Sequence, residues 1–400
     1  ASVPTTVSWI PWCLAFTAGV VTGKSSWKRQ AAGLAASFGM MVLAGHLQFA
    51  FYGGLATVLF GLVLLGFRLK AQGLSDEGGW RITGWTVGLA LGACLALPQL
   101  LPVLENSKSS HRAAAATQEG YTAYVKGALA PYELPGLVFP SLMGYPGSPS
   151  QVEVEVKGGV PSYWPAFVRI GAAPGEGAWG IGPLVLGLAI FAFRRVRKEK
   201  KWVSDGLCPA TWAGGALALV AFLLAMGTLL NSALYFGIPG FSATGSPGRV
   251  IVLLVLALCV LAGLSWPSED EEEDIPQRTL LILGAAPVVA GLLLMGLFTR
   301  GLSSWMKDFS VDAFVSAQAK AGLAPLALSV LGLAGALILM QRKQWAGALA
   351  AGLLCQLSLG AWLFVPTGTP FLQPEQPNAE RFAAINGQWD LLLRGDAVLP

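Results

Sequence analysis

Residues 31–67 read AAGLAASFGMMVLAGHLQFAFYGGLATVLFGLVLLGF, a run with no Asp, Glu, Lys or Arg. As a single helix its 37 residues would reach roughly 55 Å, against a membrane hydrocarbon core of about 30 Å. The run must break, and the polar tetrad Gly45-His46-Leu47-Gln48 near its middle marks the place. Two spans result, and the first, 31–44, is short enough to be tilted or partly re-entrant.

Outward from this run, similar stretches lie at about 7–22, 82–104, 177–193, 210–231, 249–266, 279–298, 323–341 and 345–366. With the break, they predict an all-α polytopic membrane protein of about ten transmembrane helices. Composition agrees. Charged side chains make up 12% of the 400 residues and apolar ones 54%, where a soluble domain carries roughly 25% charge. The low charge, gathered between long apolar runs, excludes a soluble enzyme. A net charge of +4, thinly dispersed, excludes nucleic acid as a partner.

Orientation follows from the basic residues, which accumulate on the cytoplasmic side of a membrane. Alternate linkers 22–30, 68–81, 194–209, 267–278 and 342–344 hold 15 Lys and Arg in 54 residues, led by Arg194-Arg195-Val196-Arg197-Lys198. The other side holds 11 in a far longer length of chain. The first set is therefore placed in the cytoplasm and both termini outside. The predicted organisation is spans 1–4 in 1–104, an extracytoplasmic loop of about 70 residues at 105–176, spans 5–10 in 177–366, and an extracytoplasmic tail at 367–400. Within the loop, Gln151–Lys157 alternates like a short strand before Gly158-Gly159.

Several chemistries find no carrier. The five cysteines are scattered without metal or disulfide spacing. The acidic run 268–274 reads as a solvated spacer rather than a cation site, because consecutive carboxylates lack the alternating spacing that wraps an ion. Phosphate-loop, dinucleotide, zinc-protease and serine-hydrolase motifs are missing, so no cofactor is named. Few charges lie inside the spans, which argues against an ion-driven transporter. The first apolar run has no basic residues ahead of it, unlike a signal peptide.

Polar residues with chemical potential gather on the outer face. His46 and Gln48 stand at the break, with Tyr52 about one turn on, as hydrogen-bonding groups for a wet cavity or an interfacial loop. Pro98 and Pro102 kink or unwind the outer end of 82–104. Beyond them come Glu105, placed for a base, and Arg112, placed for a phosphate clamp. Both also suit a charged helix end at the membrane border. The segment 242–249 opens a span with small residues, Ser246 as a candidate cap, Pro247 and Arg249. Free N–H groups at such a helix start, with an arginine in the first turn, suit a lipid phosphate, and Arg249 also suits plain anchoring at the membrane interface. Tyr163 and Trp164 offer ring faces on which a sugar could stack.

Taken in order, Gly45–Tyr52, Pro98–Pro102 with Ser110-His111-Arg112, Phe139–Gly144, Gly180–Leu186 and Pro247–Val250 resemble the YfhO-type bacterial membrane proteins of the GT-C glycosyltransferase class. The resemblance covers most of 7–266. It implies a multi-span enzyme of the bacterial cytoplasmic membrane, with a site open to the outside. Sugar would pass from a polyprenyl-phosphate carrier to a cell-envelope acceptor. Glu105 is the candidate catalytic residue; His46, Gln48, Arg112, Tyr163, Trp164 and Arg249 are the candidate binding residues. The class starts inside and carries its carboxylate in a first outer loop, so the resemblance also implies spans upstream of Ala1. The alternative function is a non-catalytic membrane subunit or scaffold among other membrane protein subunits.

Overall fold

The computed structural model describes residues 2–23, 26–73, 75–107, 116–129, 181–198, 207–238, 241–243, 245–265 and 331–342, with short pieces at 134, 136–138, 154–155, 161–162, 289, 293, 347–348 and 351. Helix dominates these residues. Spans expected at 279–298 and 345–366, the acidic run 268–274 and the tail 367–400 lie largely or wholly outside them.

The long apolar run breaks where its length required. Helix α1 (Ser2–Val7) and α2 (Ile10–Thr22) lead into α3 (Trp27–Leu43), which ends at Ala44. Gly45 then takes φ 93°, a left-handed turn that a side chain would oppose. Helix α4 (Leu47–Gln72) starts two residues later with His46 at its N-cap. Helix α5 (Asp76–Leu95) returns, and α6 (Leu97–Ser107) leaves it at 63° around the buried Ala96. The bend comes just ahead of Pro98, as expected of residues preceding a proline.

Helix α7 (Gln118–Val125) precedes a two-residue antiparallel pairing of β1 (Val154–Glu155) with β2 (Pro161–Ser162). Next come α8 (Gly182–Lys198), α9 (Leu207–Ala225), α10 (Leu229–Gly237), the 3-10 turns Phe241–Ala243 and Pro247–Val250, and α11 (Ile251–Leu264). The short apolar helix α12 covers Leu331–Gln341. Two expected boundaries move. The basic run Arg194–Lys198 is the last turn of α8 rather than a loop, since Arg and Lys are good helix formers. The stretch 210–231 is interrupted at Gly227 and supplies both α9 and α10.

Among the described residues, four helical stretches are long and apolar enough to cross a membrane: Ser2–Thr22, Leu47–Gln72, Cys208–Ala225 and Pro247–Leu264. Counting the bent pair α5–α6 as one span makes five.

Small residues set the closest packing. Gly84, Gly88 and Gly92 recur every four residues on α5 and let α3 approach; a Cβ on Gly88 would meet the Ala31 carbonyl at 3.0 Å, and one on Gly92 the Ala35 carbonyl at 2.9 Å. One apolar core then runs from α2, α3 and α4 (Ile10, Leu34, Met41, Leu64) into α9 and α11 (Leu217, Ala221, Leu254, Ala257).

The two ends of the bundle differ chemically. At one end the C-terminus of α2 meets two arginines: Arg81 Nη1 donates to the Val20 carbonyl at 2.9 Å and Arg68 Nη1 to the Val21 carbonyl at 3.0 Å. Cations there answer the negative end of the helix dipole. Lys28, Arg29 and Lys70 share this end, where Trp27 and Trp80 stack at 6.3 Å. The opposite end carries the break at Gly45, with α6, α7, α10 and the start of α11.

Candidate functional site

At that second end, chain segments far apart in sequence meet. The turn Pro247–Val250 opens α11, and Arg249 folds back from it to α4. Its Nη1 donates to Gln48 Oε1 at 2.8 Å. Gln48 in turn donates from Nε2 to the Tyr52 hydroxyl at 2.9 Å, one helical turn along. Both ends of the amide are engaged, which fixes its orientation. Gly245 makes room: a Cβ on it would stand 2.6 Å from Arg249 Nη1 and 3.4 Å from Gln48 Oε1. Gln99 of α6 also reaches this corner, its Nε2 3.8 Å from where a Cβ on Gly45 would lie.

His46 stands beside the pair. Its ring packs edge-on against Phe49 at 4.8 Å, and its Nδ1 is buried with no hydrogen-bond partner among the described residues. Burial pushes the imidazole below its ordinary range, and the Arg249 guanidinium pushes it the same way. A half-buried, oriented cation next to a neutral imidazole suits an anionic group more than a cationic one.

The start of α11 differs from the expected open helix N-terminus. Ser246 occupies the N-cap, yet its side chain accepts no capping bond and its buried Oγ has no partner among the described residues. The Gly248 N–H is taken by the Gly127 carbonyl at 3.1 Å. Gly127 permits this docking, because a Cβ there would fall 2.5 Å from Ser246 Cβ. The loop after α7 thus holds the turn in place, and the anion-binding capacity rests on side chains more than on free backbone donors.

Sequence reasoning missed an arc of aromatic rings bordering the site. From Tyr52 it passes through Phe51 (6.4 Å) to Phe241 (5.8 Å), Tyr124 (6.1 Å) and Tyr235 (5.3 Å), with Tyr121 and Phe236 on its rim. Asn231 anchors it, accepting from the Tyr124 hydroxyl at 3.2 Å and donating to the Leu224 carbonyl at 2.7 Å. The available signal was Tyr121 and Tyr124, three apart and hence on one face of a helix.

Of the seven candidate residues, the structure brings His46, Gln48 and Arg249 together. Glu105 is exposed near the end of α6. Arg112, Tyr163 and Trp164 lie outside the described residues. No group of three or more His, Cys, Asp or Glu is placed to hold a metal ion among the described residues. Compared with protein-family models, curated proteins and solved structures, the chain matches none.

Proposed function

We propose that this chain is an integral membrane glycosyltransferase, or the membrane part of one. It takes sugar from a polyprenyl-phosphate carrier and delivers it to a cell-envelope acceptor at the outer face of a bacterial cytoplasmic membrane. In this reading the chain has ten spans, with 105–176 and both termini of the chain outside. The concentration of Lys28, Arg29, Arg68, Lys70 and Arg81 at one end of the bundle favours that orientation.

The observation that carries the reading is the Arg249–Gln48 bond. It joins the two motifs 45–52 and 247–250 of the glycosyltransferase resemblance at the end opposite the basic residues. Arg249, with Arg112, offsets the charge on the carrier phosphate as it leaves. In the proposed site His46 and Gln48 stand beside Arg249, and Tyr163 and Trp164 would supply the ring faces for the sugar. Glu105 takes the acceptor hydroxyl proton while that oxygen attacks the anomeric carbon. The bond from the anomeric carbon to the phosphate oxygen breaks with inversion, and polyprenyl phosphate departs.

The exposure of Glu105 favours a second reading, a non-catalytic membrane subunit, since a base works best enclosed with its substrate. One experiment separates them. The full chain, reconstituted in vesicles, is supplied with radiolabelled polyprenyl-phosphate hexoses and cell-envelope acceptor. Label transfer that falls at least roughly a hundredfold in Glu105→Gln supports the enzyme. Undiminished transfer in Glu105→Gln removes it as the base, and no transfer by the unaltered chain supports the subunit.

A further inference from the structure

The helix α10 presents an apolar face that is exposed among the described residues. Its exposed residues are Leu229, Ala233, Phe236 and Gly237, which fall on one face at helical spacing. Leu229 is 88% and Phe236 46% exposed, and the segment LLNSALYFG contains no charged residue. The other face is pinned: Asn231 and Tyr235 are buried against α7. Helix α7 behaves oppositely. Its exposed residues include Gln118, Glu119 and Thr122, while Tyr124 turns inward. A Cβ on Gly120 would meet the Tyr235 hydroxyl at 2.7 Å, so the two helices touch closely. One member of the pair shows water a polar face; the other shows an apolar one.

Chain geometry says what lies against that apolar face. Helix α9 supplies the membrane-length stretch Cys208–Ala225 and closes with a left-handed Gly227 at φ 68°. The Gly227 N–H bonds to the Leu224 carbonyl at 3.1 Å and the Thr228 N–H to the Leu223 carbonyl at 3.3 Å. This pairing of the two residues past a helix end turns the chain back at once. Leu229, four residues past Ala225, is at most about 14 Å from it even if fully extended, and the reversal shortens that. The headgroup layer on each face of a bilayer is about 5–8 Å thick. Leu229 therefore starts a helix held close to the end of the Cys208–Ala225 stretch.

We infer that α10 lies in the plane of the outer membrane surface, with Leu229, Ala233 and Phe236 seated in the lipid at the boundary of headgroups and acyl chains, and with α7 resting over it in water. An uncharged apolar face beside a span end suits lipid. The arrangement is also rigid. Asn231 ties α10 to α7, and Phe241, just beyond α10, packs on Phe51 of α4 one position from Tyr52. The depth of α10 thereby sets the depth of Arg249 and Gln48, holding the guanidinium at the level of lipid phosphates. The inference requires that the apolar helices cross a membrane and is independent of sugar chemistry.

Photocrosslinking tests it. The full chain carrying p-benzoylphenylalanine in place of Leu229, Phe236 or Glu119 is reconstituted in phosphatidylcholine–phosphatidylglycerol vesicles, irradiated and digested. Peptides containing positions 229 and 236 should gain the mass of one phospholipid, and the peptide containing position 119 should not. Crosslinks from 229 and 236 to another segment of this chain, or to a second copy, would overturn the inference. So would lipid adducts that are equally abundant at 119. If the Leu229 replacement does not fold, Ala233 reads the same face.

Discussion

Arg249 Nη1 and Gln48 Oε1 lie 2.8 Å apart although 201 positions separate the two residues in the chain. A hydrogen bond with one charged partner, half-buried, contributes about 1–2 kcal/mol. Arg249→Gln and Gln48→Leu should each lower stability by about that amount, and the double variant should lose less than the sum. Gly245→Ala should act in the same direction, since its Cβ would meet Arg249 Nη1 at 2.6 Å. Denaturant unfolding of the purified protein in micelles reads all four.

His46 gives a pH signature. Burial, with Arg249 beside it, holds its folded-state pKa below the ordinary 6.5. The unfolded chain thus binds the proton first as pH falls. Stability should be level above about pH 7 and decline as pH drops through 6.5 toward the lower folded value. His46→Gln should flatten that decline. Thermal unfolding between pH 5 and 8 measures it, and an unchanged slope in the variant would assign the decline to other groups.

Arg81 and Glu77 form an ion pair at 3.0 Å with unequal partners: the Arg81 side chain is 7% exposed and that of Glu77 67%. Glu77→Gln should cost under about 1 kcal/mol, as exposed partners do. Arg81→Gln should cost more, about 2–3 kcal/mol, because it also uncaps the Val20 carbonyl in a buried setting. Equal losses would mean that the ion pair, and not the helix cap, is what Arg81 supplies.

Orientation is checked with Lys70→Cys and Lys126→Cys, which are exposed at opposite ends of the bundle. In intact cells a membrane-impermeant maleimide should label position 126 and reach position 70 only after permeabilisation. The reverse pattern would invert the protein.

Much of the helical layout can be read from the chain because it depends on local chemistry. A run of 37 uncharged residues exceeds one membrane thickness, so the polar tetrad at 45–48 had to interrupt it, and α3 ends at Leu43 and α4 begins at Leu47. Pro98 likewise announced the 63° turn between α5 and α6. The split of 210–231 was harder to see. A glycine-threonine pair inside an apolar run closes a helix only if the chain can turn back, and here it does so at Gly227.

The low charge, the apolar runs and their break points are legible in the chain, because hydrophobic length and turn chemistry act over a few residues. Which distant partners meet depends on the packed fold. Nothing near Arg249 in sequence points to Gln48, and nothing near Gly248 points to the Gly127 carbonyl that takes its N–H. The same holds for Asn231 and Tyr124, 107 positions apart, whose bond joins α10 to α7. Such pairings follow from how packed helices bring their ends together. The glycines at 84, 88, 92, 127 and 245 show the cause most directly, since each matters for the neighbour it admits and not for the residues beside it.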